Sequence, residues 1–171
     1  MKIVALLCLS LFTFLAAGAE RSTRPTNAPA RIQLHDQYEA VQTLSFPTTN
    51  ITVITIADKR GSEQIAGWVA LLKSRYAGRI EIRGLADVGG APGFIQGKIR
   101  RKFQESHKYP VMLDWSGEVC AKFGYEKGVA NVLILDREGI IRGRSTGAAN
   151  EKACADFNAA LEKVLATSIA P

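Results

Sequence analysis

The sequence has few of the side chains from which most enzyme centres are built. Its 171 residues include three cysteines and two histidines, and no two cysteines form a Cys-x-x-Cys pair. His35 and His107 have no further metal ligand at a suitable spacing, so we predict no metal site. Ser62 lacks an adjacent His–Asp or His–Glu pattern, which excludes hydrolysis by an activated serine. We also expect no cofactor, because no cofactor-binding motif is complete.

Long apolar runs are missing everywhere except at the N-terminus. Residues 3–15 are apolar, Lys2 precedes them, and the small residues Ala-Gly-Ala follow at 17–19. This order is typical of a signal peptide at 1–19, so we predict cleavage near Ala19 and export to the periplasm or the medium. Because the apolar run is too short for a membrane-spanning helix, we expect no transmembrane anchor.

The charge balance is only modestly positive, at +6. This favours contact with anionic surfaces, but an exported protein rarely meets nucleic acid, so we predict no nucleic-acid partner. Residues 20–30 contain two prolines and almost nothing apolar, which predicts a flexible lead-in. The remaining residues, 31–167, fit one domain.

The chain is organised around an apolar, β-branched stretch at 51–57, which predicts a buried strand. A polar turn follows, and Ser62 with Glu63 and Gln64 behind it predicts the start of a helix. Apolar residues then recur at helical spacing at Ile65, Trp68, Val69, Leu72 and Tyr76. The end of a central strand beside a helix N-terminus is a common place for chemistry in α/β proteins.

The rest of the chain alternates strands and helices. A second strand at 80–86 completes a βαβ unit, which implies parallel strands. The other predicted elements are a hairpin within 32–46, helices at 94–103, 117–123 and 150–166, and strands at 109–114, 131–136 and 140–145, the last two joined by a tight turn. The fold class is therefore α/β.

Several segments share one resemblance, namely Leu34, Asp36 and Gln37, 109–114 with Gly117, 123–125, and 128–136 followed by Gly139. Together they resemble the redoxin branch of the thioredoxin-like superfamily, which holds peroxiredoxins and exported thiol–disulfide oxidoreductases. The resemblance covers roughly 32–165. The resemblance implies a three-layer sandwich in which a central mixed sheet has helices on both faces.

The sequence departs from this family at the usual thiol site. The resemblance places the two redox cysteines at Arg60 and Glu63, and a cis-proline opposite them at Ala130. A cis bond before a residue other than proline costs about 2.5–4 kcal/mol, so we predict a trans bond before Ala130. Because no peroxidatic Thr-x-x-Cys arrangement follows Ile51 either, the family's activity does not carry over to this chain.

Two cysteines remain outside the predicted signal peptide. Cys120 and Cys154 align with apolar neighbours at helical spacing, so both are expected to point inward as small, unreactive residues. In the resembling fold their helices lie on opposite faces of the sheet, too far apart for a bond. The interpretation is two buried, unpaired thiols. A disulfide and a redox role remain as alternatives.

The helix at 94–103 combines a glycine-rich entry with a basic run. The loop at 89–93 and the following Gly97-Lys98 miss the phosphate-binding spacing by one residue, so the loop is predicted to be flexible. A lid over residues 58–63 is a second interpretation of this loop. Phe94, Ile95, Ile99 and Phe103 are predicted to form the inner face. Lys98, Arg100, Arg101 and Lys102 are predicted to form a solvated outer face.

The polar residues at the strand–helix junction have two interpretations. Asp58, Lys59, Arg60, Ser62 and Glu63 form either a solvated capping turn or, with Ala130, a cleft for a partner segment or an anionic ligand. The function that follows is an exported, non-catalytic binding protein that assists envelope redox homeostasis or protein quality control. Its partner would be another envelope protein or peptide segment. The alternative is a thiol-based antioxidant or disulfide oxidoreductase that uses Cys120 or Cys154.

Overall fold

The structure of the protein is a computed structural model that describes Arg24 and residues 26–167. The predicted signal peptide and its cleavage point lie outside the described residues. Within the described part, no helix is both long enough and apolar enough to cross a membrane.

In the described part of the chain, seven strands form two sheets. The strands β1 (Arg31–His35) and β2 (Val41–Ser45) pair as an antiparallel hairpin. The second sheet contains β3 (Ile51–Ala57), β4 (Ile80–Asp87), β5 (Val111–Asp114), β6 (Asn131–Leu135) and β7 (Ile141–Thr146), in the order β5-β4-β3-β6-β7. The first three of these strands run parallel, and β6 and β7 are antiparallel additions. The parallel βαβ unit and the closing hairpin are as predicted.

Four helices cover the two faces of the five-stranded sheet. They are α1 (Ile65–Tyr76), α2 (Gln96–Ser106), α3 (Glu118–Lys122) and α4 (Glu151–Thr167). The helices α1 and α4 share one apolar core with alternate residues of β3 and β6. The helix α3 and the β1–β2 hairpin share a second core with the other residues of the same strands. This is the predicted three-layer arrangement.

The central strand β3 is buried along its whole length, which explains its unbroken run of Ile, Val and Thr. On the α1 side, the ring of Trp68 meets that of Phe157 edge-on at 5.3 Å between centroids. The indole N–H of Trp68 donates to the carbonyl of Gly147 at 2.8 Å, so this buried polar atom is satisfied. These contacts fix α1 and hold the turn in front of it in one position.

Residues 26–28, which precede β1, are bonded to the five-stranded sheet. The N–H of Ile141 donates to the carbonyl of Thr26 at 2.7 Å, and the N–H of Ala28 donates to Gly139 at 2.8 Å. The predicted flexible lead-in is thus corrected for residues 26–28. Main-chain hydrogen bonds hold these residues in place, and they cover the start of the edge strand β7.

The prediction for the start of α2 is wrong at Phe94. This side chain was expected on the inner face, but it is 89% exposed. The reason is that Gly93–Ile95 form a 3-10 turn before α2, so the α-helical spacing does not apply to Phe94. Arg100 also departs from the predicted outer face. Its guanidinium lies 5.3 Å above the ring of Trp115 and is partly buried.

Candidate functional site

The turn after β3 is held by the carboxylate of Asp58. Its Oδ1 accepts hydrogen bonds from the N–H groups of Arg60 at 3.0 Å and Gly61 at 2.9 Å. The carbonyl of Asp58 accepts from the N–H of Ser62 at 2.9 Å. The chain then forms a 3-10 turn over Gly61–Gln64 before α1. Asp58 is therefore the residue that organises the turn, as short polar side chains commonly do.

Ser62 does not cap the helix as the sequence predicts. Its hydroxyl donates to the carbonyl of Lys59 at 2.8 Å, and the α-helix begins three residues later at Ile65. The physical reason is that a 3-10 turn over Gly61–Gln64 precedes the α-helix, so Ser62 lies inside this turn and its carbonyl accepts from the N–H of Ile65.

The turn is joined to a distant loop by two side chains. The N–H of Gly128 donates to Oδ2 of Asp58 at 2.8 Å, and the N–H of Ala130 donates to Oε1 of Gln64 at 3.1 Å. A Cβ on Gly61 would lie 2.3 Å from the carbonyl oxygen of Val129, which no real contact permits. The turn and the loop therefore touch main chain to main chain, and only glycine fits at position 61.

Asn131 fixes the shape of that loop from below. Its amide donates to the carbonyls of Glu126 at 2.8 Å and Val129 at 3.0 Å, and its Oδ1 accepts from the N–H of Glu126 at 2.8 Å. Asn131 is 2% exposed, so these bonds are made in the interior. A buried, fully engaged amide of this kind specifies one loop conformation.

The charge of Asp58 is stabilised by its main-chain donors. Burial raises the pKa of Asp58, but hydrogen bonds from the N–H groups of Gly61, Gly128 and Arg60 outweigh it and lower the pKa below its ordinary value. Asp58 is therefore an anion that accepts hydrogen bonds from the protein itself.

A second acidic group lies at the end of the neighbouring strand. Oδ2 of Asp87 accepts a hydrogen bond from the hydroxyl of Tyr125, and Oδ1 accepts one from the N–H of Gly89 at 2.9 Å. Burial, followed by the hydrogen bond to Asp87 and its charge, raises the pKa of Tyr125. A Cβ on Gly89 would lie 3.2 Å from the N–H nitrogen of Gly117. The start of the predicted lid loop is thus packed against the residue that precedes α3.

The two cysteines are separate and free of disulfides. Cys120 is 0% exposed in the core beneath α3, and burial, with the charges of Asp114 and Asp87, raises the pKa of its thiol. Cys154 is half-buried against the core on the opposite face of the sheet. The predicted inward position thus holds fully for Cys120 and partly for Cys154. Neither residue belongs to the turn after β3.

The predicted site residues occupy different environments. The side chains of Lys59, Arg60, Ser62 and Glu63 are exposed, whereas Asp58 is half-buried. Ala130 is 0% exposed, and the peptide bond before it is trans, since the cis bond of the described residues is at Phe46–Pro47. The side chain of Ala130 therefore cannot touch a ligand.

Sequence reasoning missed three residues that build the site, namely Gln64, Gly128 and Asn131. Asn131 left a signal, because an amide at the start of an otherwise apolar strand needs a reason. Gln64 and Gly128 left none, since their partners are distant in sequence.

The N–H groups at the start of the turn are engaged within the protein. Among the residues that the structure describes, no group of three or more His, Cys, Asp or Glu side chains is placed to hold a metal ion. The N–H groups of Arg60, Gly61 and Ser62, which the anion hypothesis requires, all donate to Asp58. The carboxylate and the carbonyl of Asp58 therefore occupy these three N–H groups, while the side chains of Lys59 and Arg60 stay exposed.

Comparisons with known proteins find structural likeness without close sequence likeness. No family model matches the chain, and no curated protein matches it. An uncharacterized conserved protein of Geobacillus kaustophilus matches with a TM-score of 0.65 at 15% identity, over 85% of each chain. A thiol:disulfide interchange protein of Chlorobium tepidum matches at 0.56 and 17% identity, over 83% of this chain and 97% of that one.

A third match is the thioredoxin domain of a thiol–disulfide oxidoreductase from Bacteroides vulgatus. Its TM-score is 0.57 at 13% identity, and the alignment covers 82% of this chain and 97% of that one. At identities this low, the likeness establishes the fold alone.

Proposed function

We propose that this chain, which has the thioredoxin-like fold of those thiol–disulfide oxidoreductases, is an exported binding protein that does not exchange disulfides. Its binding surface is the exposed side of the β3–α1 turn together with the adjoining loop at 128–130. Its partner is an extended peptide segment of another envelope protein, in a role that supports redox homeostasis or protein quality control.

The state of the two thiols is the observation that carries the proposal. Disulfide exchange needs a thiolate that can reach its substrate. Cys120 is fully buried with a raised pKa, and Cys154 lies on the opposite face of the sheet. The places where the resemblance puts redox cysteines hold Arg60 and Glu63. A thiol enzyme is therefore the weaker candidate.

The turn offers what an extended peptide would use. Lys59, Arg60, Ser62 and Glu63 are exposed and present both charges and a hydroxyl group. In the adjoining loop, the N–H groups of Gly128 and Ala130 are engaged by Asp58 and Gln64. Among the described residues, the N–H of half-buried Val129 between them has no acceptor. An extended segment binds through such main-chain donors and gains selectivity from flanking charges.

A direct test uses a peptide that cannot exchange disulfides. The insulin B chain with carbamidomethylated cysteines is titrated with the mature protein, and binding is followed by fluorescence anisotropy. We expect the double variant Cys120→Ala/Cys154→Ala to bind like the wild type. The charge-exchanged variant Arg60→Glu/Glu63→Lys keeps the net charge and should bind about tenfold more weakly, because the charges that select the peptide are reversed.

A matched exchange at two exposed residues far from the turn, Lys122→Glu/Glu138→Lys, serves as the control and should leave binding unchanged. Equal binding by all variants would exclude the turn as the binding surface. The thiol enzyme is tested separately by the reduction of intact insulin and by peroxide consumption. Turnover that disappears in the double cysteine variant would establish it and overturn our proposal.

A further inference from the structure

We propose that the exposed face of α2 and the turn before it dock on an anionic lipid bilayer. This surface consists of Phe94, Lys98, Arg101 and Lys102, with Tyr38 of the hairpin beside it. The inference does not depend on the binding function proposed for the β3–α1 turn.

The basic residues of this surface point to an anionic partner. Arg101 and Lys102 follow Lys98 by three and four residues, so the three residues share one side of α2. All three are exposed. Among the described residues, none of the three forms an ion pair. Glu105 follows on α2, and Glu39 lines the groove beside Arg101 and pairs with Arg100 at 3.5 Å. Lys98, Arg101 and Lys102 outnumber the carboxylate of Glu105, so the surface keeps a net positive charge.

The exposed aromatic residues lie next to these cations. The large apolar side chains exposed in the described part of the chain are Tyr38, Val41 and Phe94, at 51%, 52% and 89%. Phe94 precedes α2 by two residues, and Tyr38 lines a groove with Gly97, Arg100 and Arg101. Exposed aromatic side chains beside Lys and Arg are the combination by which peripheral proteins enter the boundary between headgroups and acyl chains.

A bilayer fits this surface better than a protein partner does. A stable protein interface buries about 800 Å² on each side around an apolar centre. Here, one phenylalanine at the tip of a turn is surrounded by exposed Gly90, Pro92 and Gly93, which provide no apolar patch. Phe94 can lose its contact with water by entering a lipid surface, while the cations remain at the level of the headgroups.

The docking would also orient the candidate site. The turn that carries Phe94 follows β4, and β4 runs parallel to β3 with Ala86 beside Ala57. The loops after β3 and β4 therefore leave the same edge of the sheet. A molecule anchored through Phe94 would hold the β3–α1 turn near the membrane surface.

Vesicle binding tests the inference. The chain from Glu20 contains every described residue and lacks the apolar stretch at 3–15, which would bind lipid by itself. We expect it to sediment with vesicles of phosphatidylglycerol and phosphatidylcholine, and not with phosphatidylcholine alone. Each cation near an anionic surface strengthens binding about fivefold, so Lys98→Ala/Arg101→Ala/Lys102→Ala should bind about a hundredfold more weakly.

Two further variants separate docking from unspecific adsorption. The triple variant Lys122→Ala/Arg137→Ala/Lys163→Ala removes the same charge from exposed positions outside α2 and should bind at least ten times better than the α2 variant. Phe94→Ala should weaken binding roughly tenfold. In Phe94→Trp, brominated acyl chains should quench the added tryptophan emission, and the quenched fraction should exceed that of the wild type, whose emission comes from Trp68 and Trp115.

Three results would overturn the inference. They are equal binding to neutral and anionic vesicles, equal loss in the two triple variants, and absence of quenching in Phe94→Trp. If binding to heparin or RNA depends on the α2 cations while the vesicles are not bound, the surface recognises a soluble polyanion instead. Circular dichroism of each variant establishes that the fold is retained, so that a loss of binding is assigned to the surface.

Discussion

The turns that follow β3 and β5 are built on the same device but are connected differently to the fold. Asp114 at the end of β5 is 0% exposed, and it accepts from the N–H of Gly117 at 3.0 Å and of Cys120 at 2.8 Å. These partners are three and six residues away. Asp58 after β3 uses one oxygen locally and the other for Gly128, which is 70 residues away.

The comparison separates a local role from a connecting role. Asp114 shapes the start of α3. It stabilises the fold because it accepts hydrogen bonds from the N–H groups of Gly117 and Cys120, which lie close to it in the chain. Asp58 joins two segments that the chain brings together only in the folded state. Asp114 therefore contributes to the stability of the fold, whereas Asp58 controls the geometry of the candidate binding surface.

The largest effect should come from Asp114→Ala. Its removal leaves the buried N–H of Cys120 and the half-buried N–H of Gly117 without an acceptor, which should lower the free energy of unfolding by about 3 kcal/mol. Urea denaturation measures this change. Asp156 is exposed, and Asp156→Ala as the control should change the stability by less than about 0.5 kcal/mol. Equal effects in the two variants would contradict the role of Asp114.

The next effect should come from Gly61→Ala. The added Cβ would collide with the carbonyl of Val129, and separating the turn from the loop should cost about 2 kcal/mol. Gly97→Ala is the matched control, because a Cβ there meets nothing within 4 Å and should stabilise α2 by about 0.5–1 kcal/mol.

Hydrogen exchange distinguishes the two turns. Gly61→Ala should accelerate exchange at the N–H groups of Gly128 and Ala130 while that of Cys120 stays slow. Asp114→Ala should do the reverse. If Gly61→Ala left the exchange of Gly128 and Ala130 unchanged, the turn and the loop would not be coupled.

The same contrast explains what the sequence could predict. The strand at 51–57, its parallel neighbour and the last helix follow from local patterns, because burial imposes a period on the sequence. The position of Phe94 could not be predicted, since a 3-10 turn shifts the spacing. The hydrogen bond from Gly128 to Asp58 could not be predicted either, because an aspartate at the end of a strand looks the same in the sequence whether its partners are near or far along the chain.

A smaller effect should come from Gln64→Ala. This variant removes the acceptor of the Ala130 N–H but leaves the bond from Gly128 to Asp58, so unfolding should become easier by about 1 kcal/mol. Denaturation gives the stability, and binding of the alkylated insulin B chain gives the effect on the surface. Gln33 is exposed on β1, and Gln33→Ala as the control should leave both quantities unchanged.

The smallest effect is the dependence on pH that Asp58 contributes. Its folded pKa lies below the ordinary value of 3.8, so its ionised form stabilises the fold fully well above that value. The contribution is lost as the pH falls below 3.8 and through the lowered folded pKa. Asp58→Asn has no such charge, and it should be less stable than the wild type by about 0.5–1 kcal/mol at neutral pH.

The difference in the free energy of unfolding between the wild type and Asp58→Asn should therefore become smaller as the pH is lowered through this range. Urea denaturation at a series of pH values measures it, with Glu105→Gln on exposed α2 as a variant whose difference from the wild type should stay near zero throughout. A difference for Asp58→Asn that stayed constant with pH would mean that the charge of Asp58 does not hold the turn to the loop. The loss in Asp58→Asn would then come from its NH₂ group, which cannot accept the hydrogen bond from the N–H of Gly128.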